Sequence, residues 1–407
     1  MPRDLLVMTL TMIVANITSN MFFPFEALYL GSLGATIQDI GVFFTLQTVM
    51  SILFRVGGGW VSDNLGRLQT IAVGSLFGLA AYLGYTLAAD WRWAMIGAVL
   101  GAAGSALVAP SFQAFTAESA PEGAVGSTFG LVEGLFLTCQ IIGPIMGGLL
   151  VENYGYKVMM WVATGIFVIA TILRLWLARG RRFVLGDLKQ SHLGRDLKAL
   201  VSIIIAGGLV TWLFVVDGLR DASSQLMMPF LPDYVTRLGG QSEGVYGLLF
   251  SGMTVVTVLA MVPGGMLADR HGERWGIALG GGISSISLVV MILWPTTAGF
   301  AVAFALFGIA GALVSPAFSA LLSKAVPRGS LGMIYGLFWS ALGVVAIPSP
   351  YLGGLLYEGI APQAPMWISA LVIALTVPIA LWRLRRPPDA AQASLPIEPV
   401  EAAPSQG

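Results

Sequence analysis

Asp217, Arg220 and Asp221 interrupt the otherwise apolar stretch 205–232. Their spacing of three and four residues puts all three near one face of a helix. There Arg220 can pair with Asp217, while Asp221 sits one turn from a like charge. A charge at the centre of a bilayer costs about 2.5–3.5 kcal/mol, so each one retained needs an explanation. Crowded carboxylates in an apolar surround can do proton chemistry, because one of them can hold a proton at neutral pH. Asp217, Asp221 and Arg220 are therefore candidates for proton or substrate coupling, the alternative being an ion pair that only fixes its helix. Glu133 and Arg55 are the other deep charges, and each could do similar work or form a structural pair. Glu26 lies nearer the end of its apolar run and is expected to meet water, as a candidate substrate contact.

Catalytic chemistry finds little to work with. His192 and His271 are the two histidines, both in loops and too far apart in sequence to suggest a zinc site. Cys139 is the single cysteine, so no disulfide framework forms within the chain. The loops hold no cluster with catalytic spacing and no phosphate-binding Gly-Lys-Ser/Thr element. No enzyme, metal or cofactor is expected. Lys plus Arg and Asp plus Glu each number 21, and a net charge of zero argues against nucleic acid as a partner.

The elements that must position these charges follow from composition. The chain of 407 residues is 56% hydrophobic and 10% charged, with a mean hydropathy of +0.83. A soluble protein carries roughly 25% charged residues, so much of this surface must face lipid. Twelve apolar runs of about 20 residues or more, from 5–29 to 364–382, are long enough to cross a bilayer. They include 124–151, 205–232 and 331–357, and they are too long and too continuously apolar for barrel strands. The expectation is an all-α membrane protein of twelve transmembrane helices. Arg3 before the first run resembles the start of a signal peptide, but the length of that run and the absence of a cleavage pattern favour a retained helix. Lys and Arg divide unevenly between the two sides. Arg67, Arg179, Arg181, Arg182, Arg270, Arg274, Lys324 and Arg383 fall on one side, against Arg92, Lys157 and Arg237 on the other. That bias places both termini in the cytoplasm. The break at 179–204 reads as a basic linker with an interfacial helix, and the Pro-, Ala- and Ser-rich tail 387–407 as disordered.

The chain repeats itself. Gly58-Gly59-Trp60-Val61-Ser62-Asp63 returns 206 residues later as Gly264-Gly265-Met266-Leu267-Ala268-Asp269. The same displacement of 206 relates Pro110 to Pro316, Gly126 to Gly332, and Pro144, Gly147, Gly148 and Glu152 to Pro350, Gly353, Gly354 and Glu358. Near the start of each half, Pro24-Phe25 and Tyr29 match Pro229-Phe230 and Tyr234 at a displacement of 205. Six spans per copy return the chain to the same side, so the repeat is parallel, about an axis along the membrane normal. The expected units are two pseudo-symmetric six-helix bundles, 1–178 and 205–386, able to rock about a shared midplane site.

With this repeat in hand, the chain resembles the major facilitator superfamily up to about Arg386. Its signature loop, Gly-x-x-x-Asp-Arg-x-Gly-Arg, is matched by Gly59, Asp63, Gly66 and Arg67, with Asn64 in a position that is usually basic. The second copy keeps Gly265, Asp269, Arg270, Gly272 and Arg274, with Glu273 in a position more often basic. The resemblance implies that Asp63 and Asp269 latch the cytoplasmic gate against the N-termini of helices eleven and five, where the helix dipole favours an anion. Gly143-Pro144-x-x-Gly147-Gly148 is similar to the helix-five element of drug:proton antiporters, a proline kink with small residues that suits a hinge. Cys139 replaces a glycine often found upstream, and 101–115 lacks the helix-four arginine usual in proton antiporters.

In this family helices one, four, seven and ten line the cavity. That implies substrate contacts at Asn16, Asn20, Gln113, Gln225 and Ser319, where Asn16 and Asn20 match Asp221 and Gln225 in the repeat. Phe22, Phe23, Met227 and Met228 supply soft apolar surface at matched positions. The implied function is a secondary transporter in the plasma (inner) membrane, a monomer exporting hydrophobic or amphipathic compounds in exchange for protons. Lipid or glycolipid flipping, uptake of a sugar or other metabolite, and a transport-dead receptor or scaffold stay open.

Overall fold

A computed structural model describes residues 2–121, 123–179, 208–325 and 331–384, with side chains other than those of 3, 56–64, 325 and 331–337. The 179–204 linker beyond its first residue and the 387–407 tail lie outside the described residues.

The described residues form an all-helical bundle, and 11 of its helical stretches are long and apolar enough to cross a membrane. The remaining unit, Leu209–Met227, carries the three charges of the 217–221 cluster and continues through Met228–Phe230, Leu231–Asp233 and a π turn at Tyr234–Leu238. It runs farther than the apolar stretch 205–232 implies, because Asp233 and Arg237 pair within it at 3.2 Å. The first span breaks in the same way: Arg3–Phe22, a 3-10 turn at Phe23–Phe25, then Glu26–Ser32. The cause is the matched prolines, Pro24 and Pro229, which offer no N–H to the helical ladder.

The other spans follow in pairs related by the repeat. Ile37–Leu65 and Glu243–His271 are the second and eighth, capped by Thr36 and Ser242, whose hydroxyls accept from Asp39 N–H at 3.1 Å and Val245 N–H at 3.3 Å. Each ends on a glycine in the left-handed region, Gly66 at φ 87° and Gly272 at φ 92°, where a side chain would be strained. Arg67–Leu87 and Glu273–Leu293 follow as the third and ninth, and Trp91–Ser119 and Thr297–Ala325 as the fourth and tenth. The fifth, Val125–Tyr154, is continuous through Pro144, whereas the eleventh is divided into Leu331–Ala346 and Ser349–Gly359 around Pro348. Tyr156–Ala178 and Ala364–Arg383 close the two sets.

The two sets meet chiefly through two helix pairings, fifth on eighth and second on eleventh. Their contacts gather toward the face opposite the chain ends. Gln38 N–H donates to Glu358 Oε1 at 3.3 Å, and Tyr156 Oη–H to Glu243 Oε1 at 3.1 Å. Tyr351 N–H reaches Thr45 Oγ1 at 3.1 Å, and Ser251 Oγ–H reaches the Ile141 carbonyl at 2.7 Å. Small residues let the backbones approach: a Cβ on Gly148 would lie 2.6 Å from the Glu243 carbonyl, and one on Gly41 2.7 Å from that of Pro350. Toward the face that carries the chain ends the sets part. Among the described residues, Gly126, Gly130 and Gly134 have no neighbour within 4 Å of where a Cβ would be, and Val262 is 70% exposed. Among the described residues, the two sets are packed together at one face and lie apart at the other.

Candidate transport cavity

Below the closed face lie two adjoining cavities, of about 600 and 370 Å³, both bordered by Phe23, Gln47 and Ser51. The larger lies within the first six spans and is walled by Phe112, Phe136 and Phe167. The smaller lies between the sets, with Arg55 on one wall and Asp221, Gln225 and Trp339 on the other.

Glu26 borders the larger cavity at its closed end. The 3-10 turn at Pro24 re-aims the chain, so the carboxylate points inward instead of toward the outside. Only 4% of Glu26 is exposed, which corrects the expectation that it meets water. Tyr85 Oη–H donates to its Oε1 at 2.6 Å and Gln47 Nε2–H to the same atom at 3.0 Å. The Tyr29 hydroxyl in turn donates to the Tyr85 carbonyl at 2.5 Å, and Tyr82 to Ser19 Oγ at 3.3 Å. The carboxylate thus has neutral donors and no ion pair among the described residues.

The seventh-span cluster divides. Asp217, 1% exposed, takes Arg220 on its Oδ1 at 2.9 and 2.5 Å and borders neither cavity. Its Oδ2 is buried with no hydrogen-bond partner among the described residues. Asp221, one turn on, borders the smaller cavity with Gln225. Glu133 is exposed to the larger cavity and Arg55 to the smaller, so the two face different lobes.

Asn16 and Gln113 border the larger cavity, with the Asn16 amide N–H donating to the Met12 carbonyl at 3.0 Å. Asn20 borders neither; it packs on Gly143, where an added Cβ would lie 2.6 Å from the Asn20 Cβ. Ser319 is exposed and borders neither cavity.

Arg174 is missed by the sequence reading, which names only Glu133 and Arg55 as deep charges beyond the 217–221 cluster. It is 2% exposed and borders the larger cavity. Its Nε–H donates to Thr11 Oγ1 at 3.2 Å, Nη1–H to Ser75 Oγ at 2.9 Å and Nη2–H to the Thr11 carbonyl at 3.2 Å. Its position four residues before the helix end was the available signal.

At the loops, the surroundings of Gly59 and the side chain of Asp63 lie outside the described residues. Arg67 Nε pairs with Glu118 Oε1 at 3.0 Å. Glu273 pairs with Lys324, which explains the acid where a base is more usual. Asp269 and Arg270 are exposed beside the open face, Gly265 has open space around it, and Arg274 is half-buried. Gly143, Pro144, Gly147 and Gly148 bring the fifth span onto the first and eighth: Gly147 lies against the Met21 carbonyl, and the Pro144 carbonyl against Gly247.

This architecture has close counterparts. The family model described as "Major Facilitator Superfamily" matches residues 8–219 and 213–406. The multidrug resistance protein MdtG of Rahnella sp. (strain Y9602) is 23% identical over 399 residues, covering 96% of this chain and 95% of that protein. Among solved structures, a peptide transporter POT in complex with sulfate superposes with a TM-score of 0.78 at 11% identity, covering 93% of this chain and 94% of the other. A bacterial homologue of the iron transporter ferroportin in an inward-facing state gives 0.75 at 15% identity, covering 94% and 99%.

Proposed function

We propose, from the premise that this chain belongs to the Major Facilitator Superfamily, that it exports hydrophobic or amphipathic small molecules in exchange for protons by alternating access. In this reading it works as a monomer in the plasma (inner) membrane. Both termini are cytoplasmic, as the Lys and Arg bias supports, and the open face is the inward one. The relatives called multidrug resistance proteins support export.

The observation that carries the reading is Glu26, a buried carboxylate at the blind end of an apolar cavity, held by Tyr85 and Gln47. With neutral donors only, gain of one proton changes the charge of that end of the cavity by a full unit. A proton arriving from outside and a solute arriving from the cytoplasm can then exclude each other. Asp221 and Glu133 are the further groups that solute or proton meets on the cavity walls. Asp217 pairs with Arg220 within the seventh helix, one turn from Asp221.

Rocking of the bundles 1–178 and 205–386 converts one access state into the other. The glycines of the fifth span, from Gly143 to Gly148, form the contact about which the outer face opens. Asp63 and Asp269 then find the N-termini of helices eleven and five when the inner face closes. The exposure of Asp269 fits the unlatched state.

Counterflow in proteoliposomes tests the function. A lipophilic fluorescent dye loaded on the cytoplasmic side should leave faster under an imposed inward proton gradient. Equal flux with and without the gradient would remove the proton from the reading.

A further inference from the structure

We propose that the smaller cavity is a head-group subsite for a dipolar ion, with Arg55 taking the anionic group of the transported molecule and Asp221 its cationic group. The inference rests on reading the cavities as a transport path and deepens it to a substrate class.

Arg55 and Asp221 border one cavity of about 370 Å³ but come from different halves of the repeat. Among the described residues neither makes a hydrogen bond or an ion pair, whereas Arg220 and Arg174 do. Arg220 is paired with Asp217, so the three charges of the seventh span sum to one negative charge, and Asp221 is the member that borders the cavity. Arg174, a buried cation that borders the larger cavity, is engaged by Thr11 and Ser75. The smaller cavity therefore offers one free charge of each sign, on opposite walls.

While the inner face is open, water can hydrate both groups. Closing that face around a solute removes the water, and a charge left without a partner in a dry site is strongly disfavoured. A simple cation would neutralise Asp221 and strand Arg55, and a simple anion would do the reverse. A group carrying both signs satisfies the two walls together and draws the halves toward each other. The apolar remainder of such a molecule has its place next door, past Phe23 and Ser51, in the larger aromatic-walled cavity. The class is thus an amphipath whose polar end carries both charges, as in a betaine.

The test uses the purified full chain in a non-ionic maltoside detergent and three naphthalene probes with one linker. They end in a trimethylammonium, a sulfonate, or both together as a sulfobetaine, and binding is read by fluorescence anisotropy. The sulfobetaine should bind about 10-fold tighter than either single-charge probe, the gain expected of one extra charge-assisted contact. Arg55→Gln should lower sulfobetaine binding to the level of the ammonium probe, and Asp221→Asn to that of the sulfonate. Arg55→Lys should keep the preference. Equal binding of all three probes by the unaltered protein would overturn the proposal without any variant. An intact preference in Asp221→Asn would overturn it too, by moving the cation to Glu133 or Glu26. Proteoliposome flux of the sulfobetaine separates the two readings: preference without flux keeps the subsite and removes transport, whereas flux with equal binding keeps transport and removes the subsite.

Discussion

Glu273 and Lys324 are ion-paired at the two positions where the first half of the repeat pairs Arg67 with Glu118, with the signs exchanged. Both members lie 206 residues on from their counterparts, and in each half the pair ties the start of one span to the end of the next. The scaffold asks for an attraction at this corner and is indifferent to its direction. The Lys324 side chain is 53% exposed but that of Glu273 only 5%, so Lys324→Gln, which takes the partner from a buried carboxylate, should cost about 1–3 kcal/mol. Glu273→Lys places two cations together and should lower the thermal midpoint further. Adding Lys324→Glu should restore it, and a double variant no more stable than Glu273→Lys would show that the pair does not hold the corner.

Glu26→Gln should abolish stimulation of export by a proton gradient, because the amide cannot change charge. Protein yield and dye binding should remain, since Gln keeps the shape and one acceptor for Tyr85 and Gln47. Tyr85→Phe leaves the carboxylate with one donor and should cost about 1.5–3 kcal/mol of stability, read as a lowered unfolding midpoint in detergent. Full gradient stimulation in Glu26→Gln would move the coupling group elsewhere.

Gly148→Ala should weaken the closed face, since its Cβ would lie 2.6 Å from the Glu243 carbonyl and backbone must move. Overpacking of this kind costs about 1–3 kcal/mol, enough to shift a two-state balance by 5-fold or more. A cysteine placed at Gln38, in a Cys139→Ala background, should then label faster with a membrane-impermeant maleimide. Gly126→Ala, where the added Cβ meets open space, is the control and should leave labelling unchanged.

Arg174→Lys should destabilise the first six spans although it keeps the charge. A guanidinium reaches Thr11 and Ser75 with separate nitrogens, and a single ammonium cannot. A drop in the thermal midpoint close to that of Arg174→Gln would confirm geometry over charge, whereas an unchanged midpoint in Arg174→Lys would reverse that conclusion.

Much of the scaffold was legible before any coordinates. Apolar run length reports directly on spans, because a backbone in lipid must satisfy its own hydrogen bonds. Gly66 and Gly272 mark tight turns, and Pro24 and Pro229 mark breaks, through local backbone chemistry alone. The displacement of 206 announced two like halves, and the structure pairs their helices in matching order.

Side-chain partners were not legible in the same way. Arg67 and Glu118 are 51 residues apart, and Arg174 meets Thr11 across 163. Asp217 and Asp221 share one helical face and one candidate role in the sequence, yet the first is buried and the second borders the smaller cavity. In a soluble helix an apolar stripe tells which side turns inward. Here lipid and protein core are both apolar, so periodicity is silent about the rotation of each span. The packing of helices distant in the chain decided that rotation, and with it the burial of Glu26, the division of the seventh-span charges and the face on which the bundle opens.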